Sequence, residues 1–135
     1  MKITVRHFIL GVALLLAFPN IGNAVTGPKL VCDEPVYQFN RVDQSAVVQH
    51  IFVIRNDGDT TFVAGMPRAT CSCTQARLNK RMIGPGESAE LAAVFTAADR
   101  VGEQKKVIYL PPSDSDVPVI KFYIQGFVEG GGQSD

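Results

Sequence analysis

The sequence offers little to nucleic acid, to a bilayer or to catalysis. Its 13 basic and 13 acidic residues balance, and no basic stripe stands out as the electrostatic footprint that nucleic-acid binding requires. No apolar run reaches the roughly 20 residues that a membrane-spanning helix needs. Histidine occurs twice, at His7 and His50. His7 falls in the apolar N-terminal segment, so a triad would have to be built on His50. His50 alternates with Gln49 and Ile51, in phase with Phe52 and Ile54, as a core or boundary histidine does. No glycine-rich loop is placed to cradle a phosphate, and Gly130 to Gly132 belong to a C-terminal tail.

Cysteine is scarce as well. Three residues, Cys32, Cys71 and Cys73, cannot all pair within the chain, so any bridge leaves one thiol over. The N-terminus reads "MKITVRHFILGVALLLAFPNIGNA": two bases, an apolar stretch from Phe8 to Phe18, then small residues around Gly22 and Ala24. That is the pattern of a cleaved export signal over residues 1–24, and export implies an oxidising periplasmic or extracellular setting. No cysteine directly follows the apolar stretch, which disfavours a lipid anchor, and no membrane association is expected after cleavage. Cleavage removes Lys2 and Arg6, leaving 11 bases against 13 acids. About 110 residues remain, enough for one domain with one core and no disulfide framework.

Short alternating runs separated by turn residues fill residues 25–128, the pattern of an all-β sandwich or barrel. Val47 to Arg55, "VVQHIFVIR", is apolar on both faces in its second half, as in a central strand. It stops at Asn56-Asp57-Gly58-Asp59, where Asp-Gly predicts a tight hairpin turn into "TTFVAGM". Gly84-Pro85-Gly86 predicts a type II turn with a positive φ at Gly86. Beyond it Ala89, Leu91, Ala93 and Phe95 define one apolar face. "QKKVIYL" reads as a strand, "PPSDSD" as a loop, and Ile120, Phe122, Ile124 and Val128 share one side of a last strand. Asp57, Asp59, Asp114 and Asp116 fall in predicted turns, where such side chains cap backbone groups. With a first strand near Val36 to Val42, the chain is expected to form an immunoglobulin-like antiparallel β-sandwich of about seven strands. The Cys…Trp…Cys core of antibody domains is excluded, because there is no tryptophan. Residues 129–135 are expected to be a flexible Gly-rich tail.

"FVIRNDGDTTFVAGM", "ATCSCT", "IGPGESAELAAVF" and "VIKFYIQGFV", in this order and spacing, resemble the bacterial exported proteins of domain-of-unknown-function family 1573. The resemblance spans roughly Tyr37 to Val128, and its most specific piece is Cys-x-Cys followed by Pro-Gly-Glu. Ser72 stands where the family commonly has glycine. The resemblance implies an immunoglobulin-like sandwich, distantly similar to cilium-associated and sperm-protein-type adaptor domains. It implies no activity, since the family has none established.

Cys71 and Cys73 are the candidate site. On an extended strand both would point to one face with Cα atoms about 6.7 Å apart, at the outer limit for a disulfide. The apolar phase changes here, from odd positions at Ala69, Cys71 and Cys73 to even ones at Ala76 and Leu78, which predicts a bulge or bend near Thr74. Either Cys32 bridges one of the two, or Cys71 bridges Cys73, or all three stay reduced. Three readings of the pair follow: small buried core residues, soft ligands for copper(I) or zinc with Met66, Met82 and His50 as further donors, or a redox thiol activated by Arg68, Arg77, Lys80 and Arg81. Those four cations equally form a solvated rim. The leading expectation is an exported, non-enzymatic interaction or adaptor module without a cofactor, binding a protein partner at a sheet edge or face. The alternative is a thiol-based site at Cys71 and Cys73 for copper(I) binding or redox exchange.

Overall fold

The structure, a computed structural model, describes residue 22 and residues 26–114 and 116–131. The expected signal segment therefore lies outside the described residues apart from Gly22, and so do the last four residues of the tail. Every element among the described residues is a strand. In chain order they are β1 (Leu30–Val31), β2 (Val36–Asp43), β3 (Val47–Asn56), β4 (Phe62–Val63), β5 (Arg68–Ala69), β6 (Thr74–Leu78), β7 (Met82–Ile83), β8 (Ser88–Thr96), β9 (Gly102–Leu110) and β10 (Ile120–Glu129).

Two four-stranded sheets face each other, β1-β3-β8-β6 and β2-β10-β9-β5, with β4 and β7 forming a small third sheet. This is the expected immunoglobulin-like sandwich. Among the described residues all pairings are antiparallel but one: β2 runs parallel to β10, with Val36 opposite Tyr123 and Asp43 opposite Glu129. Six strands have five or more residues and four have only two, so the count of about seven becomes ten once the short pieces are included.

Alternation dictates the core. Along β8, Ala89, Leu91, Ala93 and Phe95 are buried, and along β10 so are Phe122, Ile124 and Val128, each on one side of its strand. Two ring pairs join the sheets: Phe52 of β3 with Phe122 of β10 at 5.0 Å, and Phe39 of β2 with Phe95 of β8 at 5.6 Å. Gly126 makes room for the second pair, because a Cβ there would collide with the Phe39 ring. The β2 side chains change phase part-way: Tyr37 and Phe39 face inward, then Val42 does. A bulge at Asn40, whose φ is 59°, produces the shift, and the register against β10 slips at the same place.

Two local expectations are corrected. The Asp57-Gly58 turn does not close a hairpin: β3 pairs with β1 and β8, β4 pairs with β7, and Gly58 has no positive φ. Gly58 serves a close approach instead, since a Cβ on it would collide with the backbone of Gly27, Pro28 and Lys29. The second half of β3 is not covered on both faces either. Ile51 and Val53 are apolar yet 54% and 55% exposed. The predicted turn at Pro85-Gly86 is present, with Gly86 at φ 75°.

Candidate functional site

The Cys-x-Cys stretch lies where the chain changes sheets. β5 is an edge of one sheet and β6 an edge of the other. Thr70 ends the β5 contact with its N–H on Val107 O (3.0 Å), Thr74 N–H closes a turn on Cys71 O (3.2 Å), and Thr96 N–H on Cys73 O (2.9 Å) anchors the start of β6. The backbone thus bends between Cys71 and Thr74, immediately before the phase change that the sequence placed near Thr74. The bend brings the Cα atoms of Cys71 and Cys73 to 5.2 Å, and the two residues are joined as a disulfide. The extended spacing of about 6.7 Å does not apply, because these residues form a turn and not a strand.

Cys73 is buried and Cys71 half-buried. The Thr74 hydroxyl lies 3.6 Å from each sulfur, and since bonded sulfurs carry no proton it is the donor. Cys73 is thus the more shielded of the two residues. Of the four cations considered around the pair, Lys80 is paired with Glu87 at 3.4 Å and Arg81 donates to Ala64 O at 2.9 Å. Arg68 and Arg77 are exposed. Among the described residues no three His, Cys, Asp or Glu side chains gather where they could hold a metal. His50 sits on β3, stacked on Tyr37 at 4.0 Å, and Met66 and Met82 are exposed.

Cys32 occupies the other sheet-changing corner, between β1 and β2, and is free. It lies beyond β1 at one edge of its sheet, whereas Cys73 enters β6 at the opposite edge. Three strand spacings, about 14 Å, separate those edges, which puts a Cys32 bridge to either residue out of reach. Burial pushes the Cys32 thiol pKa up, and burial also holds the His50 pKa below its ordinary value. Both are therefore favoured in their neutral forms.

The corner opens a groove of about 310 Å³ between Cys32–Glu34 and the β3 residues His50 to Val53. Its floor is an unused strand edge. Asn56 N–H donates to Glu87 O (2.9 Å) toward β8, and Asp57 N–H donates to Lys29 O (2.7 Å) toward β1. Consecutive residues of an antiparallel strand alternate between its two sides. Val48, His50, Phe52 and Ile54 therefore pair with β8, while Val47, Gln49, Ile51 and Val53 turn N–H and C=O outward. β1 stops at Val31, opposite Arg55, so on the side away from β8 these four have no strand partner among the described residues. The sequence run suggested a central strand; what it missed is that β1 is two residues long.

Residues 30–128 match the family described as protein of unknown function, DUF1573. The chain belongs to this family. No curated protein sequence matches it. Among solved structures, a protein of unknown function from Porphyromonas gingivalis W83 is similar with a TM-score of 0.65 at 15% identity, over 82% of this chain and 51% of that one. The Vibrio cholerae VesB protease gives 0.60 at 14% identity, over 73% of this chain and 31% of the protease. The ASH/PapD-like domain 7 of human CEP192 gives 0.53 at 12% identity, over 98% of this chain and all of that domain. The chain spans about half the length of the first protein and about a third of the second. At these identities the likeness shows the fold, a PapD-like, immunoglobulin-like sandwich.

Proposed function

We propose that this member of the family is an exported, non-enzymatic interaction module that binds a protein partner at the outer edge of β3. The observation that carries the reading is the row of four residues whose backbone groups face outward beside exposed Val47, Ile51 and Val53. An unpaired edge supplies main-chain hydrogen bonds to an added strand, and the alternate side chains supply apolar contact. His50 is held neutral and stacked on Tyr37, with no hydrogen bond to a hydroxyl or carboxylate among the described residues, so nothing there resembles a charged catalytic relay. The test is a photo-crosslinking residue at Val53, compared with one at Lys105 on the outer face of the other sheet. Polypeptide adducts at Val53 and not at Lys105 support the reading; no adduct at Val53, or equal adducts at both, overturns it.

A second reading, thiol exchange at Cys71 and Cys73, is favoured by the half-buried Cys71 beside its buried partner. Copper(I) binding belongs to the same reading, because only the reduced pair offers thiolates to a soft cation. Native-state alkylation after mild reduction tests it: modification of Cys71 supports exchange, and a bond that reduces only on unfolding sinks it.

A further inference from the structure

We propose that the occupant of the β3 edge is β3 of a second copy of this chain, paired antiparallel across a two-fold axis. The inference rests on the interaction-module reading and names its partner.

The sheet edges are not alike. β2 is bent by the bulge at Asn40 and carries Arg41 and Asp43. β5 has two residues, and β6 has five, including Arg77, and begins at the disulfide turn. Bulges, charges and shortness are the devices by which proteins keep strand edges from pairing. Val47 to Ile54, "VVQHIFVI", has none of them. It contains no charged residue, proline or glycine, its register against β8 is unbroken, and five of its eight residues are β-branched.

A two-fold register uses this run fully. Placing Val47 opposite Val53 of the second copy, and Gln49 opposite Ile51, puts all four outward-turned residues of each strand into closely hydrogen-bonded pairs. The exposed faces of Val47, Ile51 and Val53 then become cross-strand neighbours of the same side chains from the other copy, the contacts that stabilise a sheet. No like charges are brought together along the ladder, since Val47 to Ile54 contains none. The nearest charge, Arg55, is held by Asp57 at 2.6 Å and Asp33 at 3.8 Å. The ladder ends where it must: one residue past Val47 the second chain enters its Asp43–Ala46 turn, just short of the Arg55 position that β1 occupies. A surface complementary to itself in this way forms a closed two-fold dimer, the commonest oligomer. With one strand pair at its centre it falls in the class of small, weak interfaces.

The experiment is sedimentation equilibrium of the full mature chain over a concentration series, with amide hydrogen exchange read at each concentration. Reversible dimerisation is expected, with protection rising at Gln49, Ile51 and Val53 and unchanged along β2. Ile51→Lys, at an outward position that leaves the core intact, is expected to weaken the dimer at least tenfold. Ala92→Lys, on the same outer face but one strand in from the edge, is expected to change it less than twofold. A chain that stays monomeric to millimolar concentration, or a dimer indifferent to Ile51→Lys, overturns the proposal. If either lysine variant unfolds, the concentration dependence of exchange in the unaltered chain decides. Crosslinking of Val53 to a different polypeptide by a monomeric chain removes the second copy as occupant and leaves the module reading standing.

Discussion

Asn56 is fully buried, and its side-chain amide makes four hydrogen bonds. Nδ2 donates to Thr60 O and Ile83 O at 2.8 Å each, and Oδ1 accepts from Lys29 N at 3.1 Å and Gly58 N at 3.0 Å. One residue thus ties the β1 approach, the loop after β3 and β7 together. Asn56→Ala leaves these backbone groups unpaired and is expected to lower stability by about 3 kcal/mol or more, read by urea denaturation. Asn56→Asp is expected to be no better, because a carboxylate cannot donate to Thr60 and Ile83. Gly126→Ala drives a methyl into Phe39 and is expected to cost about 1–3 kcal/mol in the same assay. His50 titrates below its ordinary pKa because burial disfavours its charge. The stability associated with its neutral form is complete above the unfolded value of about 6.5 and declines as pH falls through the folded value. A shift of the His50 ring protons with a midpoint at or above about 6.5 would contradict this.

Among the elements, β8 and β10 were legible because each has one apolar face and one polar face, and alternation reports such a strand directly. β3 was half legible. Its position was clear, but Ile51 and Val53 look the same in sequence whether covered or bare, and their exposure follows from the shortness of β1. Strands of two residues have no periodicity to detect. The bulge in β2 was illegible for a different reason: the phase shift from Phe39 to Val42 has meaning only against β10, which lies far along the chain. For the cysteines the phase change was visible, while the turn that carries it was not. Their bond spans a three-residue loop, which in the chain-entropy account stabilises by only about 1.5 kcal/mol. Replacing both Cys71 and Cys73 by serine should therefore lower the urea-derived stability by about that amount and leave the fold intact. A loss several times larger would show that the bond does more than hold the crossover.

For the whole molecule, composition, size and turn spacing sufficed to give a sandwich, since one domain of this length with short alternating strands has few other ways to bury its apolar faces. The aromatic pairs Phe52–Phe122 and Phe39–Phe95 make the two sheets a single cooperative unit. Phe52→Ala is expected to cost about 3–5 kcal/mol and to shift the unfolding of both sheets together, followed by amide hydrogen exchange along β8 in one sheet and β10 in the other; separate transitions would show that the sheets are independent. The parallel alignment of β2 with β10 sets the order in which the molecule can come into being. Among the described residues β2 hydrogen-bonds to no strand but β10, and Val36 meets Tyr123 only after about 87 residues of intervening chain exist. Closing a loop of that length carries an entropic barrier of about 4 kcal/mol. During synthesis, β2 emerges early and then waits, unpaired, for the last strand to be made. An N-terminal fragment ending before Ile120 lacks the strand that joins β2 to β9, so this sheet is completed only when the chain is nearly finished.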